Sequence, residues 1–308
     1  MGKASRASFG DALVELGSEF KSIVVLDADL SKSTKSESFS KKFPERFFQM
    51  GIAEANMIST AAGLAMSGKI AFACSFGAFL TGRYDQIRMS VSYNRANVKL
   101  IGTHAGVAIG EDGHSQMGLE DVALLRSLPN FQIFQPADDI ECREMIRFVL
   151  TRPEPAYLRL TRQKMPNIHS ADWKYKLGKW DLIQKGSGVA FIGTGQLVHS
   201  GMEAQSMLDS QMTIVNASTL KPIDEELIIQ LAKTHDLIVT AEDHYVTGGL
   251  GSAVAEVLAE NGLATPLRRI GVRDFGESGT EAEVYEHFKL NAKGVAEQLK
   301  SFISSKAA

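Results

Sequence analysis

Glu54-Ala55-Asn56-Met57-Ile58-Ser59-Thr60-Ala61-Ala62-Gly63-Leu64-Ala65-Met66 is a run of small and apolar residues at helical spacing. Gly68 stops it, and Ile70-Ala71-Phe72-Ala73-Cys74 follows as a short apolar strand. The same alternation extends outward in both directions. Upstream, 9–20 has helical spacing with Leu13, Leu16 and Phe20 on one face, and Ile23-Val24-Val25-Leu26 is a strand ending in Asp27-Ala28-Asp29. Downstream, 84–92 and 138–150 read as helices, and 98–103, 131–134 and 156–160 as strands. Repeated β–α alternation predicts a mostly parallel sheet with helices on both faces.

The polar segment 163–178, with Pro166, Asn167 and Ser170, reads as an interdomain linker. Beyond it the alternation resumes, with strands at 189–193, 213–216, 237–241 and 267–270. Helices are expected at 198–208, 225–233 and 250–261, with a terminal helix from Glu281. The expected fold class is α/β, with two doubly wound domains of mostly parallel sheet. Their expected bounds are 1–165 and 185–308, joined by a linker at 166–184.

Composition excludes several function classes. The chain has 308 residues, 44% hydrophobic and 22% charged, with a formal net charge of −3, so nothing electrostatic favours nucleic acid or an anionic membrane as partner. Lys41, Lys42 and Arg46 are interleaved with Phe and Glu and read as a solvated helix face. Cys74 and Cys142 form no CxxC, and Cys74 reads as an inert core thiol. With no long apolar leader and no apolar run of membrane-spanning length, a cytoplasmic location is expected.

In open α/β sheets ligands bind beyond the C-terminal strand ends. Asp29, the loop after Cys74 and the loop starting at His104 all follow strands directly, so chemistry is expected there. Glu54, at the mouth of an apolar helix, reads either as an acid favoured by the helix dipole or as a desolvated carboxyl able to exchange a proton with a heterocycle nitrogen. Phe76 and Phe79 are core aromatics by spacing, or π-faces for an aminopyrimidine. The loop 102–116 carries Gly102, Gly106, Gly110 and Gly113, a density that suggests close backbone approach or left-handed turns. His104 and His114 fit no metal-ligand spacing, and no metal ligand is expected on this chain. Arg6, Arg159 and Arg162, taken singly, read as surface charges. Gly193-Thr194-Gly195 is a weak dinucleotide fragment, and Gly248-Gly249-Leu250-Gly251 is a turn device or an anion-binding helix start.

Longer motifs carry a resemblance. They are Ser5-Arg6, Leu26-Asp27-Ala28-Asp29 with Ser33-Thr34, Ile52-Ala53-Glu54, Asp85-Gln86-Ile87-Arg88-Met89, Gly110-Glu111-Asp112-Gly113, Leu160-Thr161-Arg162, Leu220-Lys221-Pro222-Ile223-Asp224 and Ala241-Glu242-Asp243-His244-Tyr245. Together they resemble the C-terminal part of transketolase essentially end to end: the pyrimidine-binding domain plus the C-terminal domain. The resemblance implies that Glu54 pairs with N1′ of the aminopyrimidine of thiamine diphosphate and promotes the imino tautomer that removes the thiazolium C2 proton. It implies that Phe76 and Phe79 pack on the pyrimidine and that Asp29 lies near the cofactor. It further implies that Arg6, Ser33, His104 and Arg162 hold a sugar phosphate, with His104 also catalytic, and that Asp112 reads a substrate hydroxyl. Two arginines, a hydroxyl and a histidine suit a phosphate dianion.

Gln116 stands where many family members have His; it can hydrogen-bond cofactor or substrate but carries no proton. His114 stands where the family usually has Pro, and Gly82 where some members have a third aromatic. The family's diphosphate and Mg²⁺ are held by a GDG motif with a later Asn. Gly110-Glu111-Asp112-Gly113 is not GDG, and no Asn occurs from 131 to 166. The expectation is therefore the second subunit of a split transketolase. A separate N-terminal subunit would hold the diphosphate and Mg²⁺, and this chain would self-associate as a dimer within an α2β2 assembly acting on phosphorylated sugars. The rival readings are a 2-oxoacid dehydrogenase E1 β-type subunit, a deoxyxylulose-phosphate synthase-like enzyme and a catalytically silent scaffold or nucleotide-binding module.

Overall fold

Strand β1 (Ile23–Asp27) is buried along its whole length, as its unbroken β-branched run requires of a strand covered on both faces. The computed structural model, which describes residues 2–306, sets it in a seven-stranded sheet. The other members are β2 (Phe47–Gln49), β3 (Ile70–Phe76), β4 (Val98–Thr103), β5 (Gln132–Phe134), β6 (Ala156–Arg159) and β10 (Thr219–Lys221), in the order β10-β5-β6-β4-β3-β1-β2. All pairings are parallel except β10 with β5. A second sheet takes the order β12-β11-β8-β9-β7, from β7 (Asp181–Gln184), β8 (Val189–Gly193), β9 (Thr213–Asn216), β11 (Leu237–Tyr245) and β12 (Leu267–Val272). Only β7 runs antiparallel there. The α/β class with two mostly parallel sheets is as the alternation implied.

Four details differ from the sequence reading. Strand β7 lies inside the stretch read as linker, and β10 crosses from the second half to edge the first sheet. The helix expected at 84–92 is one short turn, Tyr84–Gln86, continued as a π-helix, Ile87–Ser92. The terminal helix is two, Glu281–His287 and Ala292–Lys306, with Lys289 between them in the left-handed region (φ 54°).

Helix Glu54–Met66 turns Met57, Ile58, Ala61, Ala62 and Ala65 inward. On the other face, Phe9, Leu13 and Leu16 of helix Ser5–Glu19 meet Met145, Ile146 and Val149 of helix Asp139–Leu150 over Phe72 and Ile101. One continuous apolar cluster runs from Met57 and Ala61 to Ile192, Val215 and Val254 of the second sheet and its helices. Among the described residues no helix is long and apolar enough to cross a membrane.

A buried polar network locks the domains together. Arg159, 2% exposed, pairs with the fully buried Asp121 at 2.9 Å. Tyr157 Oη donates to the same carboxylate at 2.6 Å, and Arg159 donates to the Gly118 and Asp243 carbonyls at 2.8 and 2.7 Å. Arg159 is thus a buried clasp and not the surface charge expected of it. Asp121→Ala strands this guanidinium and should destabilise the chain by about 3–5 kcal/mol in urea unfolding. A loss below about 1 kcal/mol would contradict the clasp.

Candidate active site

Strands β3 and β4 are neighbours, and their C-terminal ends carry the residues singled out by sequence. Glu54, one residue into its helix, is only 6% exposed. Among the described residues it has no ion-pair partner, and its one hydrogen bond comes from Ser75 Oγ at 3.4 Å, at the end of β3. A carboxyl left so nearly unpartnered in an apolar wall is an acceptor or donor awaiting a polar atom. The next residue, Phe76, is buried. It stacks on Phe79 (centroids 5.4 Å, planes 15° apart) and also meets the His104 ring at 4.1 Å. Phe79, partly buried, is the more open ring of the pair.

His104 follows β4 with φ 55°, in the left-handed region. Its Nε2 lies 2.9 Å from Arg6 Nη1 and its Nδ1 2.9 Å from Thr103 Oγ1. Arginine can only donate, so Nε2 accepts and the proton sits on Nδ1. Burial, aided by the Arg6, Arg162 and Lys35 charges, pushes the His104 pKa down from 6.5 to about 3. The ring is therefore neutral when folded. Between about 6.5 and 3 the unfolded chain takes up this proton first, so the group's contribution to stability falls as pH falls through that window. Imidazole ¹⁵N shifts of His104 should stay flat from about pH 8 to 5; a midpoint near 6.5 would contradict the burial and the cationic surroundings.

Arg6 Nη1 also donates to the Ser33 carbonyl at 2.9 Å, and Arg162 donates to the Ile109 carbonyl at 3.1 Å. Burial, and after it the Arg162 charge, lowers the Arg6 pKa. Among the described residues neither arginine has a carboxylate partner. Arg6, Ser33, His104 and Arg162 thus come together as an uncompensated cationic patch, to which Lys35 adds charge. Asp27, not singled out for a role by sequence, shapes it. Its buried carboxylate accepts from Leu30 N, Thr34 Oγ1 and Ser36 Oγ at 2.7–2.8 Å and so folds 30–36 over the strand end. Exposed Asp29 holds φ 64° and donates its backbone N–H to Gln49 at 2.7 Å.

Asp112 is exposed and Gln116 half-buried on the loop after His104, and the structure ties neither to the cationic patch. The second domain grips that loop. Asp243 accepts from Val107 N and Tyr285 Oη, both at 2.8 Å. Ser278 Oγ donates to the Glu111 carbonyl at 2.6 Å, and Gly276 N donates to His114 Nδ1 at 2.9 Å. At Gly106 (φ 83°) a Cβ would collide with the Asp243 carboxylate, so glycine is required. His114 is thereby a loop anchor, packed edge-on against Phe275. These partners are more than 120 residues apart in sequence, and only the quoted 241–245 motif hinted at them.

Both glycine motifs pack against side chains of this chain. Glu242 already caps helix Leu250–Glu260, accepting from Leu250 N and Gly251 N at 2.7 and 2.9 Å, and burial pushes its pKa up to about 7. At Gly195 a side chain would run into Gln135.

Two family models match the chain. The model for the transketolase pyrimidine-binding domain matches residues 2–167, and that for the transketolase C-terminal domain matches 178–295. A protein of Methanocaldococcus jannaschii, provisionally named a transketolase C-terminal section, is 42% identical over 304 residues, covering 96% of this chain and 95% of the relative. The 6-deoxy-6-sulfo-D-fructose transketolase subunit SqwH of Clostridium sp. strain MSTE9 is 40% identical, covering 94% of this chain and 91% of its own length. A solved split gene transketolase, described as an inactive β4 tetramer, superposes with TM-score 0.90 at 42% identity, covering 97% of this chain and 98% of that one. On the two family matches, in sequence order, and on relatives this similar over nearly their whole length, the chain belongs to the transketolase family.

Proposed function

We propose that this chain is the C-terminal subunit of a two-chain transketolase, moving a two-carbon ketol unit from a ketose phosphate to an aldose phosphate. The observation that carries the proposal is one chain of contacts along a single sheet edge. It runs from the lone Glu54 carboxyl through Ser75 and Phe76 to His104 and the uncompensated Arg6. One end suits a heterocycle nitrogen and the other a tetrahedral dianion. Relatives of the same extent support the subunit reading, because two of the three are named as a section or a subunit. Their names favour transketolase over a 2-oxoacid dehydrogenase subunit or a deoxyxylulose-phosphate synthase. The buried free thiols Cys74 and Cys142 fit a cytoplasmic enzyme.

The residues present fit the pyrimidine half of thiamine diphosphate. Glu54 would hold a proton at N1′, Phe79 would offer its ring with Phe76 behind it, and Asp29 and Gln116 would border the cofactor. When bound, the cofactor supplies the nucleophilic carbon that accepts and releases the two-carbon unit. Its diphosphate and Mg²⁺ fall to the N-terminal subunit in this reading. Arg6, Arg162 and Ser33 would grip the phosphate, neutral His104 would hold the Arg6 guanidinium in place through Nε2, and Asp112 would read a hydroxyl. Ile52 (84% exposed), Met66 and Tyr93 are exposed apolar side chains on which a partner chain and a second copy of this one would pack into an α2β2 assembly. A terminal sulfonate would suit the same arginines, a second reading favoured by the sulfofructose relative.

The test is reconstitution with an N-terminal subunit, Mg²⁺ and thiamine diphosphate, followed by a screen of ketose and aldose phosphates. Two-carbon-shifted sugar phosphates are expected. Decarboxylation of 2-oxoacids without ketol transfer would overturn the reading.

A further inference from the structure

His169 lies between the domains, in a stretch without regular structure. Its Nδ1 donates to Asp138 Oδ2 at 2.9 Å, and the Ile168 and His169 backbone N–H groups donate to the same oxygen at 2.8 and 2.9 Å. The ring is thus fixed in one orientation, and its side chain is 4% exposed. The other nitrogen, Nε2, is buried and makes no close hydrogen bond, only a long contact with the Asp181 carboxylate. A buried polar atom left so costs about 1–3 kcal/mol unless something else meets it.

Asp181 Oδ2 is 3.5 Å from that nitrogen, and a Glu141 oxygen completes a set in which one atom each of Glu141, His169 and Asp181 lie within 4.8 Å of one another. For two donors bound to one tetrahedral cation at about 2.1 Å, the expected separation is about 3.4 Å. The His169–Asp181 gap fails as a good hydrogen bond but matches that spacing. Asp138 plays the part of the outer carboxylate that sets the tautomer of a metal-binding imidazole.

Charge points the same way. Asp138, Glu141 and Asp181 meet one imidazole, and no lysine or arginine pairs with any of the three among the described residues. Glu141 is fully buried and accepts from neutral donors, among them Ala137 N at 2.6 Å and Asn216 Nδ2 at 2.9 Å. Asn216, opposite Asp181 across β7–β9, keeps a buried Oδ1 without a partner, a further oxygen close by. Trp173 packs on the imidazole (4.4 Å) and donates to the other Asp181 oxygen at 3.2 Å, which steadies both ligands.

We propose that Glu141, His169 and Asp181 form a site for a Zn²⁺-class divalent cation. It would staple the start of helix Asp139–Leu150 and the interdomain segment to edge strand β7 of the second sheet. The residues are 28 and 12 positions apart, which matches no metal motif and explains why none was expected from sequence.

The test uses the whole chain, stripped with chelator and titrated with ZnSO₄ by calorimetry. One saturable site per chain is expected, accompanied by a rise in Tm. His169→Gln and Asp181→Asn should each weaken binding by tenfold or more, and Asp138→Asn by about 10–100-fold, as for an orienting carboxylate. His287→Gln, an exposed histidine elsewhere, should leave it unchanged. Asp181 is one-third exposed, so its variant should fold and can be checked by circular dichroism. Absence of a one-to-one site, or equal Zn²⁺ binding by folded Asp181→Asn, would overturn the proposal and leave His169 as an imidazolium clasp between Asp138 and Asp181.

Discussion

Glu54→Gln should lower kcat of the reconstituted enzyme by about 10²–10⁴-fold, with little change in KM for either sugar. The amide has the size of the carboxyl and can still accept from Ser75, so the local packing survives. The change removes the ability to hold a proton opposite a ring nitrogen. Since Glu54 has no ion pair to lose among the described residues, Tm should move by no more than a few degrees. A kcat within about twofold of the parent would remove Glu54 from the chemistry.

The second large effect belongs to Arg6. Its guanidinium is held by the Ser33 carbonyl and His104 Nε2 and, among the described residues, has no carboxylate partner to neutralise it. A charge-assisted bond to phosphate is worth about 1.5–3 kcal/mol, or about 10–150-fold in an equilibrium constant. Arg6→Ala should therefore raise KM for phosphorylated sugars by about that factor, while kcat/KM for unphosphorylated analogues changes little. Arg6→Lys keeps the charge but loses the planar fork, and should fall between the two. Equal losses on both substrate classes would mean that Arg6 only supports the fold. The exposed Arg162 should show the same split more weakly, because its own anchor is a single carbonyl.

Local pattern carried most of the architecture. Helix Glu54–Met66 and strands β8 and β9 fall where periodicity and the punctuating glycines put them. The elements that escaped are those that local pattern cannot specify. Strands β2 and β10 are three residues long, and β10 is recruited by β5, more than eighty residues upstream. Strand β7 exists because β9 offers its edge, within a polar stretch that reads as linker.

The candidate side chains were named from motifs, and the residues that support them were not. Glu54 and Arg6 stand in motifs at helix starts, and Phe76 and His104 at strand ends. Asp27 is in a quoted motif too, but nothing local says that its carboxylate holds three donors. Arg159 looked like a surface charge because its partner, Asp121, lies 38 residues earlier, and Asp243 grips a loop 136 residues upstream. Pairings of this range follow from the packing of two domains, which sequence periodicity does not record.

The most direct test is calorimetric titration of thiamine diphosphate with Mg²⁺ into this chain alone and into its mixture with the N-terminal subunit. A site shared between chains should give weak or no binding alone and tight, saturable binding in the mixture. Equally tight binding by this chain on its own would show that it carries a complete cofactor site and would contradict the account.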